Sequence, residues 1–241
     1  MTARVAVFRP TDGRLEAAVD LLAEHGVEPV GDPLLEIRTT DRVPRTDAAV
    51  TVFTSKTGVE QAVQGGWTPG DTRLATIGPT TADAAEDAGF EVDVIPAEYT
   101  SAGLVEALAD SVGGDRVEVA RSDHGSQVLI EGLLDAGAYV HETVLYELAI
   151  PDGAGESVEL AAEGELDAAL FTSSLTVEHF LGIAADRGIE TAVREGLAEA
   201  VLGAIGSPTA ETAAAAGLSV DVVPANAEFE ALLRAVLAEL D

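Results

Sequence analysis

An internal repeat constrains the fold of this chain more than any other feature of its 241 residues. The segment IGPTTADAAEDAGFEVDVIP at 77–96 aligns without gaps with IGSPTAETAAAAGLSVDVVP at 205–224, at an offset of 128 residues (205 minus 77). Upstream of each copy lies an apolar run that ends in Phe-Thr-Ser, in TVFTSKTGVEQAV from Thr51 and in ALFTSSLTVEHFL from Ala169. The repeat therefore predicts two domains of similar structure.

The secondary-structure pattern indicates an α/β fold. Short β-branched runs alternate with alanine-rich amphipathic stretches, which is typical of parallel, flavodoxin-like sheets covered by helices. Aromatic residues make up only 4% of the chain, so the core must consist of Val, Leu, Ile and Ala. The predicted strands lie near 4–9, 48–53, 73–77, 91–95, 116–120, 167–171, 201–205 and 219–223. The predicted helices lie near 13–25, 56–64, 80–88, 101–111, 125–136, 174–185, 208–216 and 227–240.

The order of these elements predicts an interrupted domain. The strand at Arg4–Pro10 has no counterpart in the first repeat, so we expect it to join the sheet of the second. Two extended segments, 33–41 and 141–150, bracket the first repeat and are predicted to pair as a two-stranded antiparallel connector. The predicted domains are a discontinuous one, residues 1–35 with 151–241, and an inserted one, residues 42–140.

Composition excludes several classes of function. Asp and Glu number 43 against 13 Lys and Arg, a net charge of −30 that disfavours nucleic acid and anionic membranes as partners. We interpret this charge as the surface of a protein from a halophilic cell, since multimolar salt screens the repulsion. The chain has no cysteine, and its four histidines lack metal-ligand spacing. Without a signal peptide or a membrane span in the sequence, we expect a cytoplasmic monomer.

Four turns between a strand and a helix carry hydroxyl groups. Ser55 and Ser173 follow the two Phe-Thr strand ends, whereas Thr81 and Thr209 follow the Ile-Gly motifs. A helix start offers free backbone N–H groups and a positive dipole end, both of which favour a carboxylate. Open α/β sheets bind ligands at the carboxyl ends of their strands, so a gap lined by these turns suits a polycarboxylate. Simple helix capping and a generic turn remain the alternative interpretations.

Four further side chains are candidates for binding or catalysis. Arg9 and Arg121 end predicted strands and could each hold a carboxylate bidentately, or form an internal ion pair with a neighbour such as Asp123. Tyr146, in VLYEL, is the phenol expected to face the gap, and Tyr99 is a second candidate at a helix start. The motifs of nucleophilic, ATP-dependent, redox and metal-dependent enzymes are absent from the sequence.

The order of these motifs resembles the uroporphyrinogen-III synthase family. The shared features are FTSxxxV, IGxxTAxxAxxxG, a strand-end arginine before QVLIEGLLDAGA, the VLYEL segment, and then a second FTSxxxV and a second IGxxTA. The resemblance covers essentially the whole chain. It implies a lyase that cyclises hydroxymethylbilane to uroporphyrinogen III, with loss of water and inversion of ring D, in tetrapyrrole and heme biosynthesis. It also implies that neither a metal nor an organic cofactor takes part.

The same resemblance suggests roles for individual residues. Tyr146 would assist departure of the hydroxyl group, and the hydroxyls at Ser55, Thr81, Ser173 and Thr209 would receive acetate and propionate groups. The second Ile-Gly turn departs from the pattern of the first, because its proline removes an N–H and a hydroxyl there. The alternative function is a non-catalytic, two-lobed small-molecule-binding or regulatory relative, which turnover would distinguish.

Overall fold

The structure, a computed structural model, describes residues 2–10 and 13–240. Within them, the strands are β1 (Arg4–Phe8), β2 (Glu28–Gly31), β3 (Glu36–Thr39), β4 (Val50–Phe53), β5 (Arg73–Thr76), β6 (Arg116–Ser122), β7 (Tyr139–Ala149), β8 (Ala168–Phe171) and β9 (Val201–Ala204). The helices are α1 (Arg14–Glu24), α2 (Lys56–Gln64), α3 (Pro79–Asp87), α4 (Ser101–Leu108), α5 (Gln127–Asp135), α6 (Glu156–Ala162), α7 (Ser174–Asp186), α8 (Glu190–Ala198), α9 (Ser207–Ala215) and α10 (Phe229–Leu240). None of these helices combines the length and the apolar character that crossing a membrane requires.

The chain divides into two compact units, Met1–Glu36 with Ala149–Asp241 and Ile37–Leu148. The first unit contains a four-stranded parallel sheet in the order β2-β1-β8-β9, so the first strand of the chain joins the sheet of the second repeat. The second unit contains a five-stranded sheet in the order β3-β7-β6-β4-β5, parallel from β7 to β5. The α/β class predicted from the sequence is confirmed.

The central strands of each sheet are buried on both faces because helices cover both sides. In β1, Ala6 and Phe8 pack on one face, while Val5 and Val7 pack on the other. Burying a side chain of this kind stabilises the fold by about 1.5–3 kcal/mol. Strands covered on both faces have near-continuous apolar sequences, which is why these short runs were recognisable.

The two repeat copies share an unusual hydrogen bond. The carboxylate of Asp93 accepts from the Leu74 N–H at 2.7 Å, and that of Asp221 accepts from the Leu202 N–H at 2.9 Å. The strands predicted at 91–95 and 219–223 are wrong, because only isolated bridges form there, at Val94 and Val222. In each copy the aspartate side chain takes a backbone donor that a continuing ladder would use.

The segments predicted as a two-stranded antiparallel connector form part of the five-stranded sheet. They correspond to β3 and β7, which are neighbours at its edge. β7 also pairs in parallel with β6, from Tyr139 opposite Arg116 to Tyr146 opposite Ser122. This pairing satisfies backbone groups that a free two-stranded ribbon would expose to water, which makes β7 an interior strand. Three elements, β2, α6 and α8, were not predicted.

Candidate active site

A cavity of about 220 Å³ lies at the carboxyl end of the sheet in the second unit. Ser55, Ser101 and Ser126 line it from the starts of α2, α4 and α5. The side chains of Ser55 and Ser126 cap their own helices, each accepting a backbone N–H from the first turn. Three helix starts with their positive dipole ends therefore border one small polar space, which favours an anionic group.

Ser55 and Tyr146 meet in this cavity. The Tyr146 hydroxyl is 2.9 Å from Ser55 Oγ, which also accepts from the Gly58 N–H at 3.0 Å. Tyr146 is only 6% exposed, and its ring packs among the apolar side chains beneath α2. Because β4 and β7 both flank β6 in parallel, their carboxyl ends reach the same edge of the sheet although the two residues are 91 positions apart. The pair places a proton donor where a ligand can reach it.

Arg121 lines the same cavity but is bound by the protein itself. Its side chain is 1% exposed, and its Nε donates to Glu142 Oε1 at 2.7 Å while Nη1 donates to the Ser126 carbonyl at 2.5 Å. A Cβ atom on Gly125 would lie 2.3–2.7 Å from Arg121 side-chain atoms, so any larger residue there would displace the Arg121 side chain. The structure thus shows an internal ion pair, and its partner is Glu142 rather than Asp123.

Asp123 ties the loop after β6 to the end of β7. Its Oδ1 lies 2.9 Å from His124 Nδ1 and accepts from the Leu148 N–H at 3.0 Å. Partial burial raises the pKa of Asp123, but the hydrogen bonds from His124 and Leu148 outweigh that effect and lower the pKa below its usual value. Asp123 therefore stays a carboxylate and holds the β7 segment just beyond Tyr146.

The remaining predicted ligands lie outside this cavity. Arg9 places its guanidinium 4.9 Å from the centre of the Phe229 ring, a cation–π distance. Ser173 caps α7 by accepting from the Thr176 N–H at 3.2 Å. Both residues belong to the first unit. Within the second unit, the structure brings Ser55, Arg121 and Tyr146 together in one cavity.

Thr81 and Thr209 are buried side chains. Each is 4% exposed and is the third residue of its helix, α3 or α9. Their neighbours Thr80 and Ser207 are the exposed hydroxyl residues of the same two turns. The 3.6-residue period of a helix explains the difference, because residues one or two positions apart point in different directions around the helix axis.

Sequence reasoning also missed residues that line the cavity. Ser101 follows the cap Thr100 and precedes an apolar run, a helix-start signal that could have identified it. His124 had no such signal, because its position depends on the turn that follows β6. Among residues 2–10 and 13–240, no group of three His, Asp or Glu side chains is placed to hold a metal ion.

Comparisons with known proteins agree with the motif order. A family model described as uroporphyrinogen-III synthase HemD matches residues 16–234. A relative from Methanothermobacter thermautotrophicus is 33% identical over 199 residues, which covers 76% of this chain and 78% of the relative. The uroporphyrinogen-III synthase of Synechococcus elongatus is 31% identical over 146 residues, 59% of this chain and 55% of that protein. The structure of a mutant uroporphyrinogen III synthase from Thermus thermophilus shares the fold, with a TM-score of 0.71, 19% identity and 99% coverage of both chains.

Proposed function

This chain belongs to the uroporphyrinogen-III synthase family, and we propose that the cavity between Ser55, Arg121 and Tyr146 holds the reacting end of its substrate. The enzyme is a lyase of tetrapyrrole and heme biosynthesis that cyclises hydroxymethylbilane to uroporphyrinogen III, with loss of water and inversion of ring D. The observation that supports the proposed site is the Ser55–Tyr146 hydrogen bond inside a cavity bordered by three helix starts.

Departure of the hydroxyl group is the step that needs a proton. In our proposal, the Tyr146 phenol donates its hydrogen bond, or its proton, to the hydroxyl of the substrate as the C–O bond breaks and water leaves. Ser55 orients the phenol, because its Oγ already lies 2.9 Å from the Tyr146 hydroxyl. The azafulvene that remains is attacked by the substituted carbon of ring D to give a spiro intermediate. The protein supplies mainly orientation for this step, without a metal or an organic cofactor.

We propose that the strand-end turns of each unit receive the substrate carboxylates. The predicted ligands are the hydroxyl residues Ser55, Thr81, Ser173 and Thr209 with their adjacent backbone amides, together with Arg9. Arg121, which is paired with Glu142, would instead hold the loop before α5 in place. Each helix dipole contributes about 0.3–2 kcal/mol to binding a carboxylate. The predicted domain bounds, 1–35 with 151–241 and 42–140, and an antiparallel connector between them remain part of this proposal.

The acidic composition supports a salt-adapted origin. With a net charge of −30, close contacts to a polyacid substrate form most easily where salt screens the long-range repulsion. We infer that the enzyme acts as a monomer in the cytoplasm of a halophilic cell and has neither nucleic acid nor membrane partners. At multimolar ionic strength the Debye length falls to about 3 Å or less, so contacts in the cavity decide binding.

The proposed activity predicts a specific product isomer. Purified protein supplied with enzymatically generated hydroxymethylbilane should form uroporphyrinogen III at multimolar KCl and lose this activity at low salt, where charge repulsion is unscreened. Isomer analysis after oxidation to the porphyrin measures the outcome, with heat-inactivated protein as the control. A mixture that remains isomer I at every salt concentration contradicts the proposal. Ligand binding without turnover would instead favour the non-catalytic alternative.

The role of Tyr146 predicts a selective loss of rate. Tyr146→Phe removes only the hydroxyl that faces Ser55, so kcat should fall about 10- to 100-fold while the ring stays packed. Unfolding midpoints should remain close to those of the original protein. Tyr139→Phe is the matched control, because Tyr139 is 70% exposed at the opposite end of β7. An unchanged kcat in Tyr146→Phe would remove the proposed role.

A further inference from the structure

Tyr99 is an exposed aromatic residue beside the proposed site. Its side chain is 61% exposed, in the loop that joins α3 to α4 of the second unit. Its Cβ and Cγ atoms lie 3.2 Å from the position that a Cβ on Gly78 would occupy. Ile77 and Ser101, which flank this contact in the sequence, both line the cavity that contains Tyr146. The Tyr99 side chain therefore packs against the turn at Gly78, which directly follows the lining residue Ile77.

The second repeat shows that the turn does not require an aromatic residue. At the repeat offset of 128, Tyr99 corresponds to Ala227 and Gly78 to Gly206. The Ala227 Cβ lies 3.9 Å from the position of a Cβ on Gly206, so it takes the same place in the first unit. Both glycines are extended N-caps of helices with proline in the first turn. The ring of Tyr99 is thus an addition to a turn that forms with alanine.

Aromatic side chains are scarce in this chain, which makes the exposure of Tyr99 informative. The sequence has one tryptophan, three tyrosines and six phenylalanines. Among the described residues, Tyr99 and Tyr139 are the strongly exposed aromatic side chains, and Tyr139 lies at the amino end of β7, away from the cavity edge. Tyr99 is therefore the exposed aromatic that borders the carboxyl ends of the strands.

We propose that Tyr99 is a substrate-positioning residue whose ring packs against a pyrrole ring of the linear tetrapyrrole. This inference rests on the proposed function. The helix starts offer hydrogen bonds suited to carboxylates, but hydrogen bonds of this kind would leave the flat faces of the pyrroles without a partner. An aromatic side chain stacks on such a face and restricts rotation about the bonds between rings. A contact of this kind changes affinity by about 2- to 10-fold.

Three substitutions separate stacking from a structural role. Tyr99→Ala copies the second repeat, Tyr99→Leu keeps apolar cover over Gly78 without an aromatic face, and Tyr99→Phe keeps the ring. We expect Tyr99→Phe to behave like the original protein, and the other two variants to raise KM by about 3- to 10-fold and to release more substrate as isomer I. Tyr139→Ala is the control and should leave KM unchanged. If Tyr99→Leu has the same KM as the original protein, the role of Tyr99 is structural and the proposal is overturned.

Binding can be followed without turnover by incorporating 3-fluorotyrosine. The protein then carries three fluorine labels, at Tyr99, Tyr139 and Tyr146, which the Tyr→Phe variants assign. Anaerobic titration with uroporphyrinogen III should shift the resonance of Tyr99 and leave that of Tyr139 in place. If the enzyme forms isomer III but the Tyr99 resonance and the KM of Tyr99→Ala do not change, the stacking contact is refuted while the proposed function stands. Failure to form isomer III refutes both.

Discussion

Asp32→Ala should lower the free energy of unfolding of the first unit by about 3–5 kcal/mol. The carboxylate follows β2 and is 2% exposed. It accepts from the Gly155 N–H at 2.9 Å, from the Ser157 N–H at 3.0 Å and from the Ser157 hydroxyl. Alanine would leave these donors buried without an acceptor, and each such donor costs about 1–3 kcal/mol.

The position of Asp32 explains why the loss should be large. α6 begins after Gly155, which has a φ of 103° and offers no capping side chain, so Asp32 caps this helix from 123 residues away. Arg187 holds the same turn by donating to the Gly155 and Ala154 carbonyls at 2.7 and 2.8 Å. The cap therefore joins the two sequence segments of the first unit, and its loss loosens both.

Urea unfolding followed by circular dichroism at fixed multimolar KCl measures this effect. Asp32→Asn should show an intermediate loss, since an amide oxygen can still accept one of the hydrogen bonds. Asp20→Ala is the control, because Asp20 lies exposed on α1 of the same unit and its substitution should change stability by less than about 0.5 kcal/mol. Equal unfolding midpoints for Asp32→Ala and Asp20→Ala would show that the buried cap contributes nothing.

Elements with local signals could be predicted from the sequence. The helix predicted at 56–64 is observed as Lys56–Gln64, and its cap Ser55 accepts from Gly58 as a helix-start residue should. The apolar runs of β1, β4 and β8 are continuous because both faces of each strand are buried. In these places, each stretch of sequence contains the information that determines its own conformation.

The three missed elements depend on distant residues. β2 contains Pro29 and is an edge strand, where proline is tolerated, so its pairing with β1 rather than its composition defines it. α6 is capped by Asp32 from the other sequence segment. α8 buries only Val193 and Leu197, and Ile189 precedes it without a side-chain cap, so packing against neighbouring helices must stabilise it.

The candidate site shows the same division between local signals and distant contacts. Ser55 could be placed at the carboxyl end of a parallel strand from its motif, but its contact with Tyr146 could not be inferred, because 141–150 was predicted as a connector and not as a parallel neighbour of β6. The partner of Arg121 could not be predicted either, because Glu142 reaches it only through the register of β6 with β7, in which Glu142 lies opposite Val119 and Val144 opposite Arg121. A one-residue change of register reverses the faces of a strand, and the sequence does not reveal such a shift.

Arg121→Met should destabilise the second unit by about 2–4 kcal/mol. The substitution keeps much of the buried volume but leaves the Ser126 carbonyl without its charged donor, and leaves Glu142 without its partner. Since Glu142 is 33% exposed, water can solvate part of its charge, which keeps the loss below that of a fully buried pair. Trp67, the single tryptophan, is 4% exposed in this unit, so its fluorescence reports the transition.

A double-mutant cycle isolates the ion pair. Glu142→Gln keeps an acceptor for Arg121 Nε, and the double variant Arg121→Met with Glu142→Gln should recover part of the stability, because no unpaired charge remains. Arg116→Met is the control for removing an arginine, since the side chain of Arg116 is 66% exposed at the amino end of β6. If Arg121→Met and Arg116→Met unfold at the same midpoint, the structural role of the ion pair is contradicted.

The kinetics of Glu142→Gln distinguish two roles for Arg121. If Arg121 bound a substrate carboxylate directly, weakening its internal pair would free the guanidinium and lower KM. We expect the opposite, because Arg121 also holds the Ser126 carbonyl and packs over Gly125, so a weaker pair should let the loop at the start of α5 move. KM should then rise by a few-fold, about the effect of losing one hydrogen bond to a charged group. A lower KM with unchanged stability would instead assign Arg121 to substrate binding.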